Sequence, residues 1–227
     1  MRKLVVFLIV IGILLVVVDR VAVVGVQREI AKQVEAQYDL TDPPSVQIKG
    51  VPFLTQAISG RYDEIAVAIG PLTRQGVQLS SIDATLYGVT APLSQLIQNP
   101  SGADIRAERI TGTVVISHKT LSAQAPRGIK IEGGGGGGTL RVSGELTFLG
   151  RQVPVTADMR LDVVQGGVKL TPVNVKLAGA IPVPNPERYI TYTVPVKDLP
   201  LNLRITGVKT TPQGLAIEGT ATDVPLR

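Results

Sequence analysis

GVPFLTQAISGRYDEI, residues 50–65, carries more structural information than any other part of the chain. The Val51-Pro52 pair interrupts regular structure, because proline fixes its own φ and biases the preceding residue toward an extended backbone. The next apolar residues recur with the spacing of a short amphipathic helix: Phe53, Leu54, Ala57 and Ile58. Gly60 ends this helix, and residues 62–69 alternate as a strand does. The segment predicts a short apolar plug between two strands.

Most of the chain downstream alternates between apolar and polar residues. The alternation is clearest in four segments: 140–148, 153–163, 201–205 and 215–217. Gly150-Arg151 and Gly166-Gly167 lie between such segments and predict turns. This pattern is typical of an antiparallel meander with one apolar face and one solvated face.

The alternation changes phase at two places, between Leu79 and Ile82 and between Ala107 and Ile110. A β-bulge at each place explains the change, and bulges bend strands. Short helices are expected at Pro92 to Gln98 and at Thr120 to Ala125.

Upstream of the plug, one helical stripe precedes Asp42-Pro43-Pro44 and predicts an amphipathic helix that covers a sheet. Its apolar members are Val23, Val26, Ile30, Val34 and Tyr38. The predicted fold class is α+β and β-dominated, with a long curved antiparallel sheet wrapped around this helix.

The N-terminus has the composition of a membrane segment. Arg2 and Lys3 precede fifteen uninterrupted apolar residues, Leu4 to Val18, and counting on to Val26 gives 23 residues. That length corresponds to roughly 34 Å of helix, enough to cross a bilayer. We interpret residues 1–26 as an uncleaved signal anchor and residues 27–227 as a single domain. A cleaved signal peptide is the alternative, with Val23-Val24-Gly25 as a poor cleavage site.

Composition excludes several classes of function. There is no cysteine, so disulfides, thiol nucleophiles and thiolate metal sites are excluded. The net charge is +5, but the basic residues form no run and do not interleave with aromatics. Nucleic acid is therefore not an expected partner, whereas a mild attraction to anionic lipid headgroups is compatible with the charge.

Candidate catalytic features are weak. His118 is the only histidine, and the chain has no Gly-x-Ser-x-Gly motif. Asp63 and Glu64 are adjacent on a predicted strand and point to opposite faces. The hexaglycine Gly133 to Gly138 precedes a strand rather than the helix a phosphate cradle needs, so we interpret it as a hairpin loop. We expect no enzyme activity, no metal and no cofactor.

The apolar face of the sheet has two possible uses. A strand of eleven residues spans roughly 36 Å, and one helix of about twenty residues cannot cover several such strands. The face therefore either closes on itself as a dry core or leaves a groove for an apolar ligand. The residues alone leave both possibilities open.

Four segments together resemble the LmeA-like phospholipid-binding family of actinobacterial cell-envelope proteins. They are GVPFLTQAISGRYDEI, Leu86-Tyr87-Gly88-Val89, LPLNLRITGV at Leu199 to Val208, and TPQGLAIEGTATDV at Thr211 to Val224. The hexaglycine and Asn202 depart from the usual pattern of that family.

The resemblance implies a tubular lipid-binding (TULIP-like) half-barrel that binds phospholipid and supports envelope glycolipid assembly. It also implies a single-pass protein of the plasma membrane whose domain faces the periplasm or cell envelope. Given this resemblance, the expected partners are phospholipid and the membrane, and a groove for an apolar ligand is favoured over a closed-core interaction module. The expected lipid-binding residues are Phe53, Leu54, Ile58, Leu86, Val114, Ile116, Leu146, Phe148, Leu203 and Ile205.

Overall fold

The computed structural model describes residues 2–74, 77–92, 104–125, 128–134, 138–148, 151–165, 167–177, 191–195 and 203–226. The helices in these ranges are α1 (Arg2–Tyr38), α2 (Phe53–Ser59) and α3 (His118–Gln124). The strands are β1 (Ser45–Lys49), β2 (Arg61–Ile69), β3 (Leu72–Arg74), β4 (Val77–Thr90), β5 (Arg106–Ser117), β6 (Lys130–Gly134), β7 (Leu140–Phe148), β8 (Arg151–Val164), β9 (Gly167–Leu177), β10 (Tyr192–Pro195), β11 (Arg204–Thr211) and β12 (Gly214–Pro225).

The strands form two sheets. One follows the order β1-β2-β4-β5-β12-β11, with β3 also paired to β4, and the other follows β10-β9-β8-β7-β6. The second sheet is a meander, because its neighbours in space are also neighbours in sequence. The predicted β-dominated antiparallel fold with a long apolar N-terminal helix is confirmed, and its strands are divided between two hydrogen-bonded sheets.

The chain divides into two compact units. The first unit contains Met1–Gly70, Asp83–Thr111 and Ala221–Arg227. The second unit contains Pro71–Ile82 and Gly112–Thr220. Each has its own buried apolar cluster.

Helix α1 is one continuous helix, and its surroundings change along its length. Every side chain from residue 2 to residue 18 is exposed, whereas Asp19 and Val23 are buried. The helix is long and apolar enough to cross a membrane. Its second half packs on β1 and α2, as expected for a covering helix.

The amphipathic stripe predicted on α1 is partly wrong. Val23 is buried, and Ile30 and Val34 are partly buried, but Val26 and Tyr38 are exposed. The covered positions recur at seven and eleven residues from Val23, which lie on one side of a helix with 3.6 residues per turn. Val26 and Tyr38 lie about 60° to either side of Val23.

The core of the second unit lies on the five-stranded sheet. Its buried residues are Leu140, Val142, Ala157, Met159, Val168 and Leu170. Neighbouring strands pair in antiparallel register, with Leu140 opposite Met159. The alternation predicted for residues 153–163 is confirmed up to Met159 but is wrong at Val163, which is 41% exposed. This residue lies next to the β8–β9 turn.

The phase change between Ala107 and Ile110 is visible in the burial of β5. Both residues are buried although they are three positions apart, which strict alternation forbids. The helix predicted at Thr120 to Ala125 is also confirmed as α3, and it begins two residues earlier. The Ser117 hydroxyl caps α3 by accepting the Thr120 N–H at 3.1 Å.

Two other predictions concern the hexaglycine and the segment from Pro92 to Gln98. The hexaglycine was expected to be loop, but Gly133 and Gly134 belong to β6 and pair with Arg141 and Leu140. The hairpin connection between β6 and β7 is thus shorter than the glycine run. The helix predicted at Pro92 to Gln98 falls, beyond Pro92, outside the described residues.

Met159 offers a test of the core of the second unit. It is 0% exposed, and we expect Met159→Ala to lower the free energy of unfolding by about 2–5 kcal/mol through lost burial and a cavity. Val163→Ala on the same strand is the control, with an expected effect of about 0.5 kcal/mol or less. Hydrogen exchange of β8 amides in the full chain measures both, and equal losses of protection would contradict this core.

Candidate functional site

The predicted plug is present as α2, and it packs into the core of the first unit. Phe53 is 2% exposed and contacts the cluster formed with Val23 and Ile48. Leu54 and Ala57 pack against the same cluster. Gly60 ends the helix with φ 66°, and its N–H donates to the Ala57 carbonyl at 3.3 Å. The left-handed conformation explains why glycine occupies this position.

Asp19 connects α1 to the start of α2. The Leu54 N–H donates to Asp19 Oδ1 at 2.8 Å, and no side chain of α2's own N-cap residue, Pro52, does so. The carboxylate is 4% exposed, and its second oxygen accepts the Arg20 Nε–H at 3.1 Å and also contacts Arg20 Nη2. A buried carboxylate is stable only with such partners, so Asp19 acts as a capping residue supplied by another helix.

Gln56 holds the other side of the motif. It is buried, its Nε2 donates to the Lys49 carbonyl at 3.2 Å, and its Oε1 accepts the Asp63 N–H at 3.0 Å. The amide therefore joins the end of β1 to the start of β2. Gly50, with φ 102°, lies directly over it, and a Cβ there would come within 2.5 Å of Gln56 Nε2. Close approach and positive φ together explain this glycine.

Charged and phenolic groups around α2 are perturbed by their surroundings. Lys49 Nζ lies 2.5 Å from Glu64 Oε1, and the hydrogen bond to this carboxylate raises the pKa of Lys49. Burial raises the pKa of the Tyr62 phenol, whose ring centroid is 6.2 Å from that of Phe53. Both shifts favour the protonation state that each group already has at neutral pH.

Ile58 does not share the environment of the other plug residues. It is 80% exposed, whereas Phe53 is in the core. The exposed residues of α2 are Thr55, Ile58 and Ser59, so Ile58 lies on the outer side of the helix. The four-residue apolar stripe predicted for this helix is therefore correct for three residues and wrong for Ile58.

The predicted strand residues are partly exposed where the structure describes their side chains. Leu86 lies on β4, Val114 and Ile116 on β5, and Ile205 on β11; all are partly exposed, as is Leu203 just before β11. Ile205 packs against the core of the second unit. Leu203 lies over β12, where a Cβ at Gly219 would be 3.7 Å from Leu203 Cδ2.

Two predicted lining residues, Leu146 and Phe148, lie on β7, but their side chains are outside the described part of the structure. The plug residues and the strand residues of the second unit belong to separate clusters. Phe53 and Leu54 share one cluster, and Ile205 packs on another. All ten residues remain predictions as lipid-contacting positions.

Within the described residues, no group of three His, Asp or Glu side chains is placed to hold a metal ion. His118 begins α3, and its Nε2 is buried without a hydrogen-bond partner in the part of the chain that the structure describes. It lies near Gly133, where a Cβ would be 3.8 Å from the imidazole Cε1. We therefore interpret His118 as a structural residue of the α3–β6 contact.

The sequence patterns do not identify two residues that organise the plug, Asp19 and Gln56. The available signal for Asp19 is its isolation, since no other acidic residue occurs before Glu29. Its partner, the Leu54 N–H, is 35 residues away in sequence, so local pattern does not reveal it.

Substitution of Asp19 tests its capping role. We expect Asp19→Ala to destabilise α2 by about 0.5–2 kcal/mol, because the Leu54 N–H loses its acceptor. Asp19→Asn retains an oxygen at that place and should lose less. Hydrogen exchange of a peptide covering residues 50–60 in the full chain measures both. Unchanged exchange in Asp19→Ala would show that the bond does not hold α2.

Gln56→Leu tests the link between β1 and β2. We expect a loss of about 1–3 kcal/mol, since the partly buried hydrogen bonds to the Lys49 carbonyl and the Asp63 N–H are lost. The matched control is Gln47→Leu on β1, whose side chain is exposed, with an expected effect within about 0.5 kcal/mol. Thermal unfolding of the full chain in mild detergent compares the two, and equal melting temperatures would contradict a structural role for Gln56.

Comparison with known proteins gives one match. The model of the LmeA-like phospholipid-binding family matches residues 17–220, which begin just before Asp19 and include α2 and every strand up to most of β12. No curated protein and no solved structure matches the chain. Because the match covers well over half of the sequence, the chain belongs to the LmeA-like phospholipid-binding family.

Proposed function

We propose that this protein is a membrane-anchored phospholipid-binding protein that holds acyl chains against apolar side chains of its strands. The family match supports lipid binding in general. The observation that carries the finer proposal is the partial exposure of apolar residues on β4 and β5, although Val89, Ala107 and Ile110 on the same strands are buried. The partly exposed residues are Ala84 and Leu86 in the first unit, and Leu79, Ile82, Val114 and Ile116 in the second unit.

The contrast with the five-stranded sheet supports this interpretation. There, apolar residues such as Leu140 and Met159 are fully enclosed, as in an ordinary dry core. Leu86 on β4 and Val114 and Ile116 on β5 retain solvent contact, although both strands have neighbours on both sides in their sheet. A lipid chain that covers them gains the stabilisation of apolar burial, about 0.8 kcal/mol per CH₂.

The membrane location is supported by α1. Its first half exposes fifteen consecutive apolar residues, Leu4 to Val18, and such a surface is stable in a bilayer rather than in water. Basic residues lie on both sides of the apolar segment, with Arg2 and Lys3 before it and Arg20, Arg28 and Lys32 after it. The charge distribution therefore hardly determines the orientation of α1 in the membrane. We place the domain on the outer side of the plasma membrane because of its family, and infer a role in cell-envelope glycolipid assembly on the same ground.

We propose binding and carriage without covalent chemistry. The two polar residues that position the plug, Asp19 and Gln56, are engaged in structural hydrogen bonds. The competing proposal is a closed-core interaction module without a lipid ligand, which the enclosed cluster on the five-stranded sheet would equally suit. The two proposals predict different effects on bound lipid and on stability when a side chain on β4 is enlarged.

Ala84→Phe distinguishes them. If β4 contacts lipid, the larger side chain occupies the ligand's place, and we expect bound phospholipid to fall several-fold with little change in melting temperature. If β4 belongs to a closed core, overpacking costs about 1–3 kcal/mol of stability. The control is Ala68→Phe, because Ala68 is exposed on β2 of the same unit.

Native mass spectrometry of the full chain, released from detergent after expression in a phospholipid-rich host, measures bound lipid, and organic extraction identifies it. About one phospholipid per chain in the parent and in Ala68→Phe, with loss in Ala84→Phe, supports the proposal. A parent chain that is stable, carries no phospholipid and takes none from vesicles would refute it.

A further inference from the structure

The outer surface of α2 and the turn before it exposes two large apolar side chains. Val51 is 79% exposed and Ile58 is 80% exposed. Among the described residues these are the most exposed large hydrophobic side chains in the molecule, more so than any in the fifteen-residue apolar segment of α1. We call Val51, Thr55 and Ile58 the α2 outer surface.

Asp19 fixes this surface at a defined position along α1. The Leu54 N–H lies 2.8 Å from the Asp19 carboxylate, so the first turn of α2 is held beside residue 19. Ala22 and Val23 pack on the same cluster as Leu54. Helix α2, which carries the α2 outer surface, is thus attached directly to α1 at the point where the apolar run of α1 ends.

The length of the apolar run determines what surrounds that position. Residues 4–18 cover about 22 Å at 1.5 Å per residue, whereas the hydrocarbon core of a bilayer is about 30 Å thick and needs about 20 residues. With Lys3 at one interface, the hydrocarbon reaches approximately residue 23. Residue 19 is four residues before that point, so the first turn of α2 beside it lies within about 6 Å of the boundary between acyl chains and headgroups, on the acyl side.

The charges around α2 suit this boundary. Residues 50–60 contain no charged side chain, and the flanking residues are basic, Lys49 and Arg61. Both are exposed, and each is paired with a carboxylate, Glu64 and Glu108. Basic side chains at an interface lay their stems along apolar surface and extend their charges to the headgroups.

We propose that the α2 outer surface is embedded in the same bilayer that α1 enters, with Val51 and Ile58 inserted at the acyl–headgroup boundary. This rests on the membrane location proposed above. It makes α2 an interfacial helix and places the lipid-binding domain in contact with the leaflet that supplies its ligand.

Site-specific depth measurement tests the proposal, because the chain contains no cysteine. Single-cysteine variants Val51→Cys and Ile58→Cys of the full chain are labelled with an environment-sensitive fluorophore and reconstituted in phosphatidylcholine–phosphatidylglycerol nanodiscs. Val16→Cys is the control inside the apolar run. Ala36→Cys is the control in water, since Ala36 is exposed and lies about 26 Å along α1 from Asp19. Quenching by acyl-chain nitroxides is compared with quenching by iodide.

We expect positions 16, 51 and 58 to be quenched by the lipid nitroxides and protected from iodide, and position 36 to behave in the opposite way. Lipid quenching at 16 with iodide quenching at 51 and 58 would overturn this inference and leave the anchor intact. Iodide quenching at 16 would refute the anchor and this inference together. Protection of 51 and 58 from both quenchers would indicate a protein contact and would also overturn the inference.

A further variant tests whether Val51 and Ile58 are what holds α2 in the bilayer. Thr55→Cys reports on α2 without altering either apolar residue, and we expect it to be shielded from iodide in the nanodisc. Adding Val51→Ser and Ile58→Ser should abolish that shielding, while hydrogen exchange of residues 50–60 shows that α2 remains folded. Unchanged shielding in the triple variant would show that Val51 and Ile58 do not hold α2 in the bilayer.

Discussion

The hydrogen bond between the Leu54 N–H and the Asp19 carboxylate is the contact on which the arrangement of the first unit depends. Asp19 is a charged residue within a helix whose first half is otherwise apolar, and Arg20 on the same turn balances its charge. Removing such a group from water is costly unless its oxygens are satisfied. Here the Leu54 N–H at the start of α2 satisfies Oδ1 and Arg20 satisfies Oδ2, so the end of the apolar run and the position of α2 are determined together.

The molecule has two kinds of apolar surface. The buried cluster on the five-stranded sheet encloses its own apolar side chains and needs no ligand. Leu86 on β4 and Val114 and Ile116 on β5 remain partly exposed. A sixteen-carbon chain that leaves a bilayer gives up roughly 12 kcal/mol. Only an extended apolar surface replaces that amount, which is why a lipid carrier needs surfaces of the second kind.

Local patterns predicted the element types but not the long-range contacts. Alternation identified the strands of the five-stranded sheet, and the glycine and proline signals placed α2 within the chain. The same alternation failed at Val163, since burial at a strand end depends on which strands extend beside it. The division into two sheets follows from pairings far apart in sequence. Asp19 and Gln56 are not identified by local patterns for the same reason, because their hydrogen-bond partners lie in other elements. Ile58 lies on the exposed side of α2, and its contact with lipid stays a prediction.

Helix α1 continues without a break from its apolar run into its contacts with β1 and α2. A flexible tether would let a domain move within a volume set by the length of the tether. The rate at which the domain meets lipid would then depend on the effective concentration of lipid in that volume. A continuous helix removes that freedom. Under the proposed anchoring, rotation of α1 about its axis turns α2 by the same angle, and one inserted residue between the two halves would offset them by about 100° and 1.5 Å. The leaflet composition beside α1, rather than diffusion on a tether, would then decide which lipids the protein meets.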